Sequence, residues 1–215
     1  MGQPKSFDNC AVIVAHPDDE TLWAGGTILL RPEVRWTVVT LCRRSDPDRS
    51  VKFFKAMELL NASGLMGDMD DGPKQLPLNS AEVEKTIFSL IPESGFDLVM
   101  THSPYGEYTR HRRHEETGRA VLQLWRTGRL SAARMWLFAY EDGGGCYPPR
   151  PIDAADNVIK LPEEIWRQKC QIIEEVYGFG PNSFEACAAG SGEAFWCFDS
   201  AERTHKRLFN GGVKK

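Results

Sequence analysis

The sequence predicts an α/β domain, a three-layer sandwich in which a mostly parallel central sheet is covered by helices on both faces. Three observations predict it. Short apolar runs alternate with stretches of helical period along the first two thirds of the chain. Polar clusters follow directly on two of those runs, as they do where ligands bind beyond the carboxyl ends of parallel strands. The 215 residues, 41% hydrophobic and 26% charged, suit one globular domain spanning 1–215.

Each element has its own reason. Cys10 to Ala15 is apolar throughout and reads as a buried strand. Glu20 to Leu30 reads as a helix, with Asp18, Asp19 and Glu20 at its positive end. Gly25-Gly26 inside it cost about 1 kcal/mol each against Ala, which points to close packing on the sheet or beside a ligand. Trp36 to Cys42 is the second strand, and Ser50 to Leu60 a helix with Phe53, Phe54, Met57 and Leu60 on one side. Gly67 to Pro77 reads as a loop. Asn79 and Glu82 form a capping pair for a helix that ends near Leu90.

Phe96 to Thr101 is another buried strand, followed by a polar loop from His102 to Arg110. The helix from Arg113 to Trp125 carries the i, i+4 pairs Ala120/Leu124 and Val121/Trp125. Met135 to Tyr140 is a strand. Glu163 to Tyr177 is a helix with Trp166, Cys170, Ile173 and Tyr177 toward the core, and Ala194 to Trp196 is a last strand.

A net charge of −4 gives no support for nucleic-acid binding. Arg43-Arg44, Arg110 and Arg112-Arg113 are local basic clusters, either solvated charge or a pocket for an anionic group. The six cysteines form no C-x-x-C pair, and Cys10 and Cys42 fall in apolar runs as small core residues. No run has the length of a signal peptide's apolar segment or a membrane span, so a cytoplasmic chain with reduced thiols is expected.

The chemistry concentrates in two places. Ala15-His16-Pro17-Asp18-Asp19-Glu20 puts a histidine and spare carboxylates at one strand end. Three of the five histidines, His102, His111 and His114, fall within thirteen residues, while His205 stands alone and is expected to be solvated. On a helix, His111 and His114 share a face. A His-Asp pair from the first loop and a histidine from the second make a three-ligand zinc site that keeps a position open for water. The plainer alternative is helix capping by Asp19 with His16 satisfied in a turn. Asp18 and Asp19 are interchangeable at this level.

Together, the strand with Ala-His-Pro-Asp-Asp-Glu and the distal Tyr105-Gly106-Glu107-Tyr108-x-x-His111-x-x-His114 resemble the PIG-L (LmbE-like) deacetylases. These are metal-dependent N-acetylglucosaminyl amide hydrolases on a Rossmann-like sheet. The likeness runs over roughly residues 10 to 140, with Glu193-Ala194-Phe195 a further point of similarity. It implies His16, Asp19 and His114 as ligands of zinc or ferrous iron, Asp18 as general base, and His111 as cationic partner of the developing oxyanion. One departure stands out: many relatives carry an acid between the two distal histidines, where this chain has Arg112-Arg113.

The expected reaction is removal of an N-acetyl group from an amino sugar or glycoconjugate. A bound zinc lowers the pKa of its water from about 15.7 to roughly 7 and polarises the carbonyl. Asp18 takes the proton and returns it to the leaving amine. A protonated His111 adds a donor of the kind commonly worth about 2.7–4 kcal/mol. Tyr105, Glu107 and Tyr108 are expected to meet the sugar, and Arg43 and Arg44 an anionic group on its aglycone. His102 is the runner-up for any of the distal roles and is expected to be a supporting group in the loop, and Glu141 to Gly145 is an acidic turn at the same rim, a lid or a substrate contact. The partner is a small molecule, with neither nucleic acid nor membrane, and a homo-oligomer is compatible with the sequence.

Two rivals differ in class. His16-x-Asp18 with a distant histidine matches the ligand set of non-haem iron oxygenases, against which the βα alternation counts. A non-catalytic Rossmann-like binding module would use the acidic turn only as a cap. No G-x-G-x-x-G follows the first strand, so dinucleotide binding is not indicated.

Overall fold

Alternate residues of β1 (Asn9–Val14) feed two separate cores, Cys10, Val12 and Val14 one of them and Ala11 and Ile13 the other. That is the signature of a strand covered on both faces. The computed structural model of the protein describes residues 7–91, 95–108 and 111–209, and of the last helix not the side chains at 203, 205, 206 and 209. Arg110 and the side chain of His205 therefore lie outside the described residues.

A seven-stranded sheet runs in the order β3-β2-β1-β4-β5-β9-β8. Its strands are β1, β2 (Arg35–Cys42), β3 (Ala62–Met69), β4 (Leu98–Thr101), β5 (Met135–Phe138), β8 (Asn157–Lys160) and β9 (Gly192–Phe198). The first five pair in parallel, and β9 is antiparallel to both β5 and β8. Helices α1 (Asp19–Leu29), α2 (Pro47–Leu60) and α5 (Glu163–Gln171) cover one face together with a π-helical turn, Ile172–Val176. Helices α3 (Ser80–Leu90), α4 (Arg112–Arg126) and α7 (Ala201–Phe209) cover the other. A short ribbon, β6 (Tyr140–Glu141) with β7 (Arg150–Pro151), and helix α6 (Phe184–Ala188) complete the chain. The three-layer α/β sandwich expected from the sequence is the fold observed.

Four local expectations are corrected. The segment 62–69, whose last three residues fall in the expected loop from Gly67, is the edge strand β3. Ala-Ser-Gly-Leu-Met-Gly-Asp-Met lacks the β-branched and aromatic residues that mark a strand. Gly64 is small for a reason: a Cβ there would lie 2.7 Å from the Phe53 ring and 2.8 Å from Met57. The expected strand Met135 to Tyr140 breaks at Ala139 into β5 and β6. Helix α2 begins earlier than expected, at Pro47, because Asp46 caps it by accepting from the Asp48 and Arg49 amides, and Phe54 faces outward. The helix from Glu163 becomes π-helical at Ile172, and of the expected core stripe Trp166 is exposed while Ile173 and Tyr177 are buried, with Ile172 and Val176 beside them. Among the described residues no helix is long and apolar enough to cross a membrane.

Candidate metal and acid–base site

The strand order reverses between β1 and β4, so their carboxyl ends flank a crevice, the position where open α/β sheets bind ligands. β1 ends at the His16 turn and β4 at His102, tied together by the Thr101 hydroxyl donating to the Ile13 carbonyl at 2.7 Å. Helix α4 then returns His111 and His114 to the same rim. It approaches closely because residue 118 is glycine: a Cβ there would lie 2.5 Å from the His102 carbonyl oxygen and 2.9 Å from that of Ser103. The His114 ring consequently stacks on His102 with centroids 3.9 Å apart.

His16, Asp19 and His114 converge. Asp19 Oδ2 lies 3.2 Å from His16 Nδ1, and Asp19 Oδ1 lies 3.2 Å from His114 Nε2. Asp19 also accepts the His16 amide at 2.9 Å and the Trp23 indole N–H at 3.1 Å. Neither aspartate caps α1 through its side chain, so the plain capping alternative does not describe this turn. His16, His111 and His114 offer nitrogens within 4.8 Å of one another, and two buried nitrogens, His16 Nε2 and His111 Nδ1, have no hydrogen-bond partner. Clustered imidazoles, a buried carboxylate and orphaned ring nitrogens fit a divalent cation.

A second group, Asp19, His102 and His114, is equally close. Hydrogen bonding separates the two. The Ala15 N–H donates to His102 Nε2 at 3.1 Å and so occupies its lone pair. His102 Nδ1 meets Glu107 Oε2 at 3.0 Å, which describes a tautomer protonated at Nδ1. Burial opposes a charge on His102, yet Glu107 and Asp19 outweigh it and push the group up to about 9. The Ala15 amide works against that second proton. His102 is thus committed to the scaffold, while His16 and His111 have nitrogens to spare.

The two adjacent aspartates are driven apart. Burial, then the charge of Asp19, pushes Asp18 well above the usual carboxylate range, with Arg49 opposing. Asp19 is also buried, but His114 and His102 hold it well below that range. Two neighbouring carboxyls with opposed environments are the pattern of one fixed anion and one proton carrier. Asp18 sits at φ 113, a conformation costing about 1–3 kcal/mol for a non-glycine residue, at the point where its carboxyl enters the cleft. For His111, burial, then His114 and His16, pushes the imidazole down to about 3. These surroundings oppose the cationic state expected from the sequence.

Asp71, Arg49 and Phe184, which carry no mark in the sequence, and Arg113, expected there only as part of a basic cluster, complete the geometry. Asp71, from the loop after β3, places Oδ1 3.1 Å from His16 Nε2 without the alignment of a hydrogen bond. Its other oxygen accepts Arg43 Nη2 at 2.6 Å. Burial opposes its charge, but His16 and Arg43 hold it down at about 2. Arg49 donates to Asp18 Oδ2 at 3.1 Å. Arg113, fully buried, donates to the carbonyls of Asp70 at 2.6 Å and Leu76 at 3.1 Å and to Glu116 at 2.6 Å. The arginine that departs from the usual distal motif thus pins the loop bearing Asp71 onto α4. Phe184 of α6 joins the cleft wall, its ring 4.8 Å from that of Tyr108.

The expected substrate contacts divide. Arg43 and Tyr108 line the cleft, a space of about 230 Å³, together with Asp18, Arg49, Asp71, Phe184 and Glu185. Arg44, Tyr105 and Glu107 are not in its lining. Tyr105 turns its hydroxyl to the Leu208 carbonyl at 2.8 Å. Glu107 is sealed behind the histidines, 3.0 Å from His102 Nδ1 and 2.8 Å from His114 Nδ1. The Glu141 to Gly145 turn is also absent from the lining, and Glu141 is engaged by Tyr147 and Arg150. A larger groove of about 600 Å³ between α3, α4 and α7 has none of His16, His102, His111 and His114 in its lining.

The fold finds counterparts among known proteins. The structure superposes on N,N'-diacetylchitobiose deacetylase from Pyrococcus horikoshii with a TM-score of 0.72 at 16% identity, covering 97% of this chain and 90% of that one. The deacetylase of the teicoplanin biosynthesis pathway gives 0.65 at 19% identity, with 89% and 98% covered. GalB, the 4-carboxy-2-hydroxymuconate hydratase of Pseudomonas putida KT2440, gives 0.58 at 18% identity, with 84% and 82% covered. At these identities the likeness is one of fold, and that fold serves more than one reaction. Residues 11–125 match the model of the family described as GlcNAc-PI de-N-acetylase, a stretch that holds every histidine and aspartate of the site. The chain belongs to the PIG-L family.

Proposed function

We propose that this protein is a metal-dependent N-deacetylase that hydrolyses the acetamide of an amino-sugar substrate to a primary amine and acetate. The observation that carries the reading is the adjacent pair Asp18 and Asp19, held in opposed electrostatic environments beside histidines with unsatisfied nitrogens. His16, Asp19 and His114 would hold the cation, zinc or ferrous iron, which when bound supplies a Lewis acid and a water of lowered pKa. Asp18 accepts the proton of the attacking water and hands it to the departing nitrogen, since an amide anion is too basic to leave unaided. His111, which lines the same cleft, serves as a hydrogen-bond donor to the carbonyl oxygen. Glu107 orients His114 from behind and keeps its nitrogen toward the cleft.

The cleft lining supports a hydroxylated ring as substrate. Arg43 and Asp71 present a fixed donor–acceptor pair, and Tyr108 with Phe184 offers aromatic faces. Arg44, outside the lining, is left for an anionic group further along an aglycone. The test is amine release from a panel of N-acetylated sugars by protein of measured metal content, with and without chelator. Amine release that chelation abolishes and metal restores is expected. Fully metal-loaded protein that liberates no amine from any member of the panel would sink the proposal, and oxygen uptake dependent on 2-oxoglutarate would support the oxygenase instead.

A further inference from the structure

Glu20, the last acid of the Asp-Asp-Glu string, is fully buried and lines no part of the cleft. Its Oε2 accepts the Asp18 amide at 3.1 Å, and its Oε1 accepts the hydroxyls of Thr21 at 2.6 Å and Tyr177 at 2.7 Å. Glu20 therefore links a tyrosine from the far end of the chain to the one residue of the site whose backbone sits at φ 113. Tyr177 follows directly on the π-helical turn, and its amide bonds the Ile172 carbonyl five residues back at 3.0 Å. One extra residue in a helical turn rotates the following side chain by about 100°. Such turns recur at functional sites.

A second route reaches the same residue from the same segment. Arg49 donates to Asp18 Oδ2, and its guanidinium lies over the Phe179 ring, 4.9 Å from the centroid. Gly178, at φ 81, turns the chain between Tyr177 and Phe179. One short stretch thus grips Asp18 twice, at its backbone through Glu20 and at its carboxyl through Arg49.

We infer that segment 172–179 is a buttress that positions Asp18, with Tyr177, Glu20, Phe179 and Arg49 as positioning residues for proton transfer. The segment lies beyond the stretch 11–125 that carries the family match, so this part of the chain completes a site whose chemical groups all come from elsewhere. The inference rests on Asp18 being the proton carrier. A group held in a strained conformation keeps its aim only while its supporting contacts are intact.

The test uses Tyr177→Phe, which keeps the buried ring and removes only the hydroxyl, and Arg49→Met at a partly exposed position. Each is expected to lower kcat about 10–100-fold with KM and metal content near wild type. In an Asp18→Asn background, assayed with enzyme in excess of substrate, the same changes are expected to cost less than about 2-fold, because residues acting through one group are not additive. Arg49→Lys, which keeps the charge, is expected to recover part of the loss. Equal losses in both backgrounds would overturn the inference. Crystal structures of the two variants give a readout independent of turnover. Asp18 is expected to leave its φ near 113 or swing its carboxyl while His16 and Asp19 stay in place. An unmoved Asp18 in both would overturn the buttress, whereas an inactive wild type with metal bound would instead count against the deacetylase reading.

Discussion

Asp18 and Asp19 are chemically identical neighbours, and in the proposed reaction only their surroundings give them different work. Asp19 is spent on His16, His114 and Trp23, whereas Asp18 meets Arg49 and open cleft. Asp18→Asn is expected to leave metal content near normal and to lower turnover by about 10²–10⁴, and full activity would remove Asp18 as base. Glu107 gives a second test. Burial opposes its charge, but His102 and His114 hold it down at about 2, against an ordinary value of 4.5. A depressed carboxyl contributes stability that is complete above about pH 4.5 and is lost as pH falls toward 2. Urea midpoints for wild type and Glu107→Gln are therefore expected to converge across that window. At neutral pH the same variant is expected to bind metal about 10–100-fold more weakly, since it loses the anion that orients His114. A wild-type advantage unchanged down to pH 2.5 would contradict this picture. The sequence made His16, Asp18, Asp19, His111 and His114 legible, because each sits in a motif with a rare residue at fixed spacing. Asp71 and Arg49 carried no such mark: one is an aspartate among several in a Gly/Asp/Pro-rich stretch, and the other an arginine in a helix's first turn.

At the scale of elements, the parallel strands and their helices could be read from apolar runs, while the parts that aim the site could not. β3 was hidden by its small residues, and with it the position of the loop that delivers Asp71. The π-helical turn was hidden because its side chains are as apolar as those of an ordinary helix, and only the phase shifts. Helix α4 shows how close an approach the rim needs. Gly118→Ala places a methyl within 2.5–3.0 Å of the His102 and Ser103 backbone, a clash expected to cost about 1–3 kcal/mol. A lowered Tm is expected, along with loosened stacking of His114 on His102 and weaker metal binding. Wild-type stability in Gly118→Ala would show that α4 has room to move. Arg113 belongs to the same level, since its backbone and carboxylate partners couple the Asp71 loop to the helix that follows His111 and carries His114.

For the molecule as a whole, seven strands in one sheet and two cores make a rigid platform, and the chemistry is gathered on loops at the strand-order reversal. The amino-terminal three fifths hold the candidate donor atoms, and the carboxy-terminal part brings Tyr177 and Phe179 behind Asp18 and Phe184 to the cleft wall. Every functional assignment then depends on which face of the histidine cluster receives an ion. Diffraction from crystals of the metal-loaded protein, recorded at the absorption edge of the bound metal, decides this directly. A single anomalous peak is expected about 2.0–2.2 Å from nitrogens of His16 and His114 and an oxygen of Asp19, with His102 still bonded to the Ala15 amide. A peak shared by Asp19, His102 and His114 without His16, or no peak at all in protein that releases amine, would contradict it.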